Sequence, residues 1–133
     1  MAEFLIESNR DGWSLAITQT GRTDYHRAEL SCGTTQASID FYAGDVPPLS
    51  ELFSGLAEDW RGWEGERRWG SLDGEVELRA THDKLGTITL AVRMRSDAYD
   101  PTVREHHWTT TALLFLDAGT LDSLAREAAQ LTA

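Results

Sequence analysis

The residue types best suited to metal chemistry lie side by side at Glu105, His106 and His107. Adjacent residues of a strand point to opposite faces of a sheet, so the two histidines cannot bind the same ion unless the strand bulges. Glu105 and His107 share a face, but two ligands make only half of a typical zinc site. No other histidine or cysteine lies at a spacing that completes the site. The sequence therefore predicts ordinary strand histidines and no bound metal.

A thiol beside an imidazole could act as a nucleophile with its base, and Cys32 shares one face of a predicted strand with His26. Six residues of extended chain separate the two side chains by roughly 20 Å, which is far beyond a hydrogen bond. We interpret Cys32 as a small buried apolar residue. A single cysteine also excludes an internal disulfide.

Two carboxylates, Glu75 and Glu77, share a strand face and could in principle serve as acid and base. The facing strand offers Arg93 and Arg95, so cross-strand ion pairs are the simpler interpretation. We interpret His82, at the end of the same strand, as a histidine at the edge of the core. The sequence predicts no catalytic residue and no cofactor.

Tryptophan is concentrated in one segment, which contains Trp60, Trp63 and Trp69. Trp60 continues the apolar stripe of a predicted helix, and we expect it in the core. Trp63 and Trp69 lie in the connection that follows, next to Arg67 and Arg68. Aromatic residues beside arginines are common at recognition surfaces, but they also seal the open end of a core. Both interpretations stay open, and the two tryptophans and two arginines are candidate binding residues.

The chain is strongly acidic, with a formal net charge of −10. Residues 1–60 carry ten acids against three bases, whereas residues 61–133 carry twelve against nine. Such a charge argues against nucleic-acid binding, because phosphates would be repelled, and it would speed encounter with a basic protein. Acidity that serves solubility alone is the competing interpretation. The acids that we expect to steer a basic partner are Asp24, Glu29, Asp40 and Asp45.

Composition places the chain among globular proteins, since 41% of its 133 residues are hydrophobic and 26% are charged. This length predicts a single domain over residues 1–133. No apolar run approaches the ~20 residues of a membrane span. The first residues carry acids where a signal peptide would carry bases, so we expect a cytoplasmic protein with no membrane partner.

Apolar alternation with a period of two predicts most of the secondary structure. It indicates strands at residues 4–6, 13–18, 25–32 and 37–42, and again at 76–80, 88–94 and about 103–116. The clearest hairpin joins 76–80 to 88–94. Helical spacing predicts one helix from Pro47-Pro48 to Trp60 and another after Thr120.

The predicted order is ββββ-α-βββ-α, in which strands are grouped rather than alternating with helices. Grouped strands with tight turns favour antiparallel pairing and an α+β fold. We therefore predict one antiparallel sheet of about seven strands with both helices packed on it.

The sequence resembles a family of small actinobacterial proteins of unknown function. The most specific part of the resemblance is Trp-Arg-Gly-Trp-Glu-Gly at residues 60–65, followed by Trp69, the strand at 75–80, His82-Asp83 and Gly86. In size, acidity and layout the chain is also similar to the immunity proteins that neutralise bacterial polymorphic toxins. The second resemblance implies a protein partner but does not indicate which residues would bind it.

These observations favour a non-catalytic interaction domain, and our first hypothesis is an immunity-type inhibitor that binds a toxin or other basic partner. The alternative is a small-molecule-binding or enzymatic domain with a pocket between sheet and helices, which would use Trp63, Trp69, His82 or His107. A third hypothesis is a structural subunit that forms a homodimer through a sheet edge.

Overall fold

The structure is a computed structural model that describes residues 2–96 and 107–131. Glu105 and His106, for which the sequence predicts no metal role, and the start of the strand predicted at 103–116 lie outside the described residues. The elements are β1 (Glu3–Glu7), β2 (Ser14–Gln19), β3 (Tyr25–Cys32), β4 (Thr35–Tyr42), α1 (Leu49–Glu58), β5 (Arg67–Gly70), β6 (Val76–His82), β7 (Thr87–Arg95), β8 (Thr109–Asp117), a 3-10 turn (Ala118–Thr120) and α2 (Leu121–Leu131).

The described strands form two antiparallel sheets of four, in the orders β1-β2-β3-β4 and β5-β6-β7-β8. The predicted α+β class with antiparallel pairing is confirmed. The prediction of a single sheet of about seven strands is wrong, because α1 separates the two groups and β5 adds a further strand. β5 escaped prediction because its four residues, Arg67–Gly70, contain too little apolar alternation to mark a strand.

The predicted hairpin is β6 with β7, and its register pairs Val76 with Met94 and Ala80 with Leu90. The apolar residues of both strands are buried. Leu90 is fully buried, so the predicted inner face is confirmed. The connection between the strands is tight, and Lys84 adopts a positive φ of 65° within it.

The inner faces of both sheets and the apolar faces of both helices belong to the same hydrophobic cluster. Each helix has a stripe of buried residues, and the stripe on α1 includes Phe53, which meets Phe4 of β1 edge to face with 5.2 Å between the ring centroids. The side-chain amide of Gln19 donates to the backbone carbonyl of Leu131, which ties α2 to the first sheet. No helix among the described residues is long and apolar enough to cross a membrane.

The two sheets touch along a seam between β1 and β8. The backbone N–H of Asn9 donates to the carbonyl of Phe115 over 2.9 Å, and the N–H of Phe115 donates to the Ser8 hydroxyl over 3.0 Å. At the opposite edges, Phe41 of β4 meets Trp69 of β5 with 6.0 Å between the ring centroids. The sheets therefore contact each other at both edges, with their inner faces sharing one core.

Candidate functional site

Trp63 and Trp69 lie in the core, where they are only 6% and 8% exposed. The indole N–H of Trp63 donates to the carbonyl of Ala80 over 3.2 Å, and that of Trp69 donates to the carbonyl of Pro47 over 2.8 Å. Both polar groups are thus satisfied by backbone oxygens. Of the two interpretations of this pair, the sealing of the core is confirmed.

Trp60 is the tryptophan of this segment that faces solvent, with 51% of its surface exposed. Its predicted place in the core is wrong. The helix ends at Glu58 with Asp59 as its C-cap, so Trp60 follows the helix and no longer shares its apolar face. The guanidinium of Arg61 lies over its ring, 5.1 Å from the centroid.

The two predicted binding arginines have different surroundings. Arg67 forms an ion pair with Asp59 at 2.8 Å, and its guanidinium lies 5.5 Å from the ring centroid of Trp63. Arg68 points to the opposite side of β5 and pairs with Glu66 at 3.0 Å. Arg67 therefore covers the core at its edge, whereas Arg68 lies on the outer face of the second sheet.

His82 packs against Trp63, with 5.0 Å between the ring centroids. The backbone N–H of Lys84 donates to Nδ1 of His82 over 2.7 Å, so the proton of the neutral ring must be on Nε2. From there it can donate to the carbonyl of Trp60, 2.8 Å away. His82 holds the tryptophan segment against the hairpin, as expected for a histidine at the edge of the core.

The two carboxylates of the predicted ion-pair face behave differently. Glu77 approaches both Arg93 and Arg79 at 3.8 Å. Glu75, however, is buried and accepts a 2.8 Å hydrogen bond from the hydroxyl of Ser71. Its predicted place on a cross-strand ion-pair face is wrong, because Glu75 precedes β6 in a turn and is buried, while Arg95 donates to the carbonyl of Gly74.

Glu29 and Asp40, two of the predicted steering acids, lie on the outer face of the first sheet. Arg27 lies between them and donates twice to Asp40, over 2.7 and 3.2 Å. This hydrogen bonding and the charge of Asp40 raise the pKa of Arg27, and Glu29 adds to the effect. We call this outer surface the acidic face; its charged residues are Glu3, Glu7, Arg27, Glu29 and Asp40.

Asp24 and Asp45, the other two steering acids, lie at one end of the same sheet. Both adopt a φ of 61°, and their loops flank the ring pair of Tyr25 and Tyr42, whose centroids are 5.6 Å apart. The Tyr42 hydroxyl donates to Asp45 over 3.3 Å. The negative charge of Asp45 raises the pKa of Tyr42, because it opposes ionisation of the phenol. All four predicted acids therefore belong to the first sheet or its end.

The outer face of the second sheet carries a group of arginines that the sequence analysis did not recognise as a unit. They occupy outward positions of β5, β6 and β7, and we call this surface the arginine face: Arg68, Arg79, Arg93 and Arg95. The outward acids of the second sheet are Glu77 on β6 and Asp117 on β8, and Asp117 caps the following 3-10 turn. Alternation of arginines with buried residues along β6 and β7 was the signal that could have found it.

The hollow between the first sheet and the helices is small, and a larger hollow lies at the surface. Between the first sheet and the helices the described residues leave a hollow of about 20 Å³, room for a single water. A wider hollow of about 570 Å³ lies outside the core beside Arg27, Asp40, Glu75 and Trp108. A third hollow, of about 330 Å³, lies between α1 and β5, and its lining includes Leu52, Arg67 and Trp69. The alternative hypothesis of a pocket between sheet and helices therefore stays a prediction.

The described residues bring no three histidine, cysteine or acidic side chains together in a way that could hold a metal ion. Cys32 lies near the carbonyl of Asp11, 3.5 Å from its sulfur. His26 is at the other end of β3, as its spacing from Cys32 predicts.

The fold and surfaces define an α+β protein with two four-stranded antiparallel sheets, a core sealed by tryptophan and two charged outer faces. The chain belongs to DUF6228, a family of unknown function whose model matches residues 4–133. No curated protein and no solved structure matches the sequence.

Proposed function

We propose that this protein is a non-catalytic interaction domain that binds a basic protein through its acidic face, in the manner of an immunity protein that blocks a toxin. The observation that carries the proposal is the outward placement of Glu3, Glu7, Glu29 and Asp40 on one sheet, with Arg27 as the base among them. Asp24 and Asp45 extend the same negative field at the end of the sheet.

The chemistry of the acidic face suits steering more than tight anchoring. The Arg27–Asp40 pair is about half exposed, and ion pairs that face water add little to the stability of the fold, so its place on the surface is not explained by stability. Unpaired carboxylates such as Glu29 would attract a basic partner over a Debye length of about 10 Å at 0.1 M salt. Apolar contact would come from Leu5, which is 38% exposed, and from its neighbour Ala16.

The buried tryptophans change the expected anchor of the complex. Trp63 and Trp69 already donate to backbone carbonyls and pack in the core, so a partner could reach them only by opening the protein. The proposal therefore assigns recognition to the acidic face and leaves the two tryptophans a structural role.

The test is capture of partners from the native cell, followed by association kinetics at two salt concentrations. The first variant combines Glu7→Gln with Glu29→Gln and removes two charges from the acidic face. The control combines Glu58→Gln with Glu127→Gln and removes two charges from exposed helix positions. We expect a basic partner whose association rate falls with salt, and falls at least about tenfold in the first variant, within the range of electrostatic steering.

Three results would contradict the proposal. One is a captured partner that is acidic, and another is an association rate that does not respond to salt. The third is an equal loss in the control variant, which would assign the effect to net charge rather than to the acidic face.

A further inference from the structure

The arginine face has an unfavourable feature that points to a partner. Arg68 and Arg79 lie directly opposite each other on neighbouring strands, and like charges in this position repel. Glu66 and Glu77 offset this only partly, since Arg68 remains 63% exposed and the Arg79–Glu77 contact is 3.8 Å long. An anionic surface laid against this face would relieve the repulsion.

The central row of residues across each outer face has the same order of residue types. In both sheets the row begins with a leucine on the strand at the seam. The next strand contributes an alanine, and the strand after it contributes a charged residue. On the acidic face the row is Leu5, Ala16, Glu29 and Ser38. On the arginine face the row is Leu113, Ala91, Arg79 and Arg68.

These rows can coincide when the two faces stack. Both sheets have four strands, and neighbouring strands lie about 4.8 Å apart in any sheet. With β1 of one copy over β8 of another, Leu5 meets Leu113 and Ala16 meets Ala91. The charged position of the row then brings Glu29 against Arg79.

We propose that the arginine face binds the acidic face of a second copy of this chain. Leu113 and Leu5, which are 46% and 38% exposed, would supply the apolar contact, and the carboxylates would neutralise the arginines. Such a contact joins different surfaces of the two copies, so it leaves one face free at each end of a dimer and extends into open chains or larger rings.

The size of the contact predicts weak association. Four strands of about five residues cover roughly 19 Å by 17 Å, on the order of 300 Å² per copy, whereas a stable interface buries about 800 Å² per partner. The net charge of −10 on each copy also opposes approach. Self-association is therefore expected only at high protein concentration. It does not rest on the proposed function, but a basic partner would compete with it for the acidic face.

The test is a charge swap measured by sedimentation velocity over a range of protein concentrations. Glu29→Arg and Arg79→Glu should each weaken self-association at least about tenfold, because each places like charges at the contact. Mixing the two variants should restore it in assemblies where the variants alternate, since each contact between unlike variants again joins an acid to a base. The double variant Glu29→Arg/Arg79→Glu should also associate.

Controls match the charge changes at exposed helix positions, with Glu58→Arg and Arg126→Glu, and both should associate like the wild type. Circular dichroism checks that each variant folds, and Glu29→Gln with Arg79→Gln replace any reversal that does not. A wild type that stays monomeric at every concentration overturns the proposal. So does a mixture that stays dissociated, or a wild-type monomer whose arginine face binds polyglutamate, which would assign that face to another anionic partner.

The outcome is separable from that of the proposed function. Arg79→Glu changes self-association and leaves the acidic face intact, so capture of a basic partner should continue in this variant. If both activities fail in Arg79→Glu, the two surfaces are not independent as proposed.

Discussion

The two sheets have closely similar inner faces and opposite outer faces. Inside, each presents alternating apolar residues to the shared core, as in Leu15 and Ile17 of the first sheet and Leu90 and Val92 of the second. Outside, the first sheet carries mainly carboxylates and the second mainly arginines. The core dictates the inner residues through packing, but nothing in the fold requires the outer ones to separate by charge. The difference therefore points to binding.

The largest expected effect comes from comparing the loss of stability when a leucine is truncated on the inner face and on the outer face of the second sheet. Leu90→Ala should reduce the free energy of unfolding by about 2–5 kcal/mol, because it leaves a cavity in the core. Leu113→Ala, on the outer face of the adjacent strand, should change it by only about 0.5 kcal/mol. Urea denaturation of both variants measures the contrast, and equal losses would mean that the faces are assigned wrongly.

A smaller effect tests the hydrogen bond that joins β5 to the connection between β4 and α1. Trp69→Phe removes the hydrogen bond to Pro47 and leaves a partly buried carbonyl unsatisfied, which should cost about 1–3 kcal/mol. Trp60→Phe is the matched control, and it should stay within about 0.5 kcal/mol because Trp60 is exposed. If the two substitutions have the same effect on the urea midpoint, the hydrogen bond from Trp69 to Pro47 does not stabilise the fold.

The smallest expected effect is the pH dependence of stability that arises from His26 in the first sheet. Burial lowers the pKa of His26 below its usual 6.5, while the charge of Asp24 opposes the shift. The unfolded state therefore binds the proton more readily, so stability is lost as the pH falls below 6.5 and levels off below the folded-state pKa. In His26→Gln the urea midpoint should fall less than in the wild type between pH 7.5 and 5.5.

The substitution Asp24→Asn should enlarge the pH effect of His26, whereas His26→Gln should reduce it. Without the opposing charge the pKa of His26 should fall further, so the loss of stability at acid pH should be larger than in the wild type. A wild type and a His26→Gln variant with identical pH profiles would exclude a role for this residue.

The strands could be predicted because burial on one face produces a period of two, as in β6 and β7. Periodicity identifies which residues face the core but not which strands pair, so it could not separate one sheet from two. β5 could not be predicted from the sequence for a different reason. Trp69 is its single large apolar residue, and a strand that short has no period to detect.

The site was predicted in part for the same physical reason. Outward acids such as Glu29 and Asp40 follow from their position in the alternation, and they are on the face expected. Alternation could have placed Arg79, Arg93 and Arg95 on one face, but the place of Arg68 beside them needed knowledge of register, since it meets Arg79 only through the pairing of β5. Trp60 was misplaced because the exact end of a helix depends on its cap rather than on its apolar stripe.

The seam between β1 and β8 has a consequence for the order of folding. Its hydrogen bond from Phe115 to Ser8 joins residues 107 positions apart in sequence, whereas all hairpins except β7–β8 close over short connections. Hairpins of this kind form in about 1–10 μs, but distant contacts must wait for a costly loop closure. We expect the two sheets to form as separate local units and the seam to close last, so that both apolar inner faces are exposed together for a short time in every folding event.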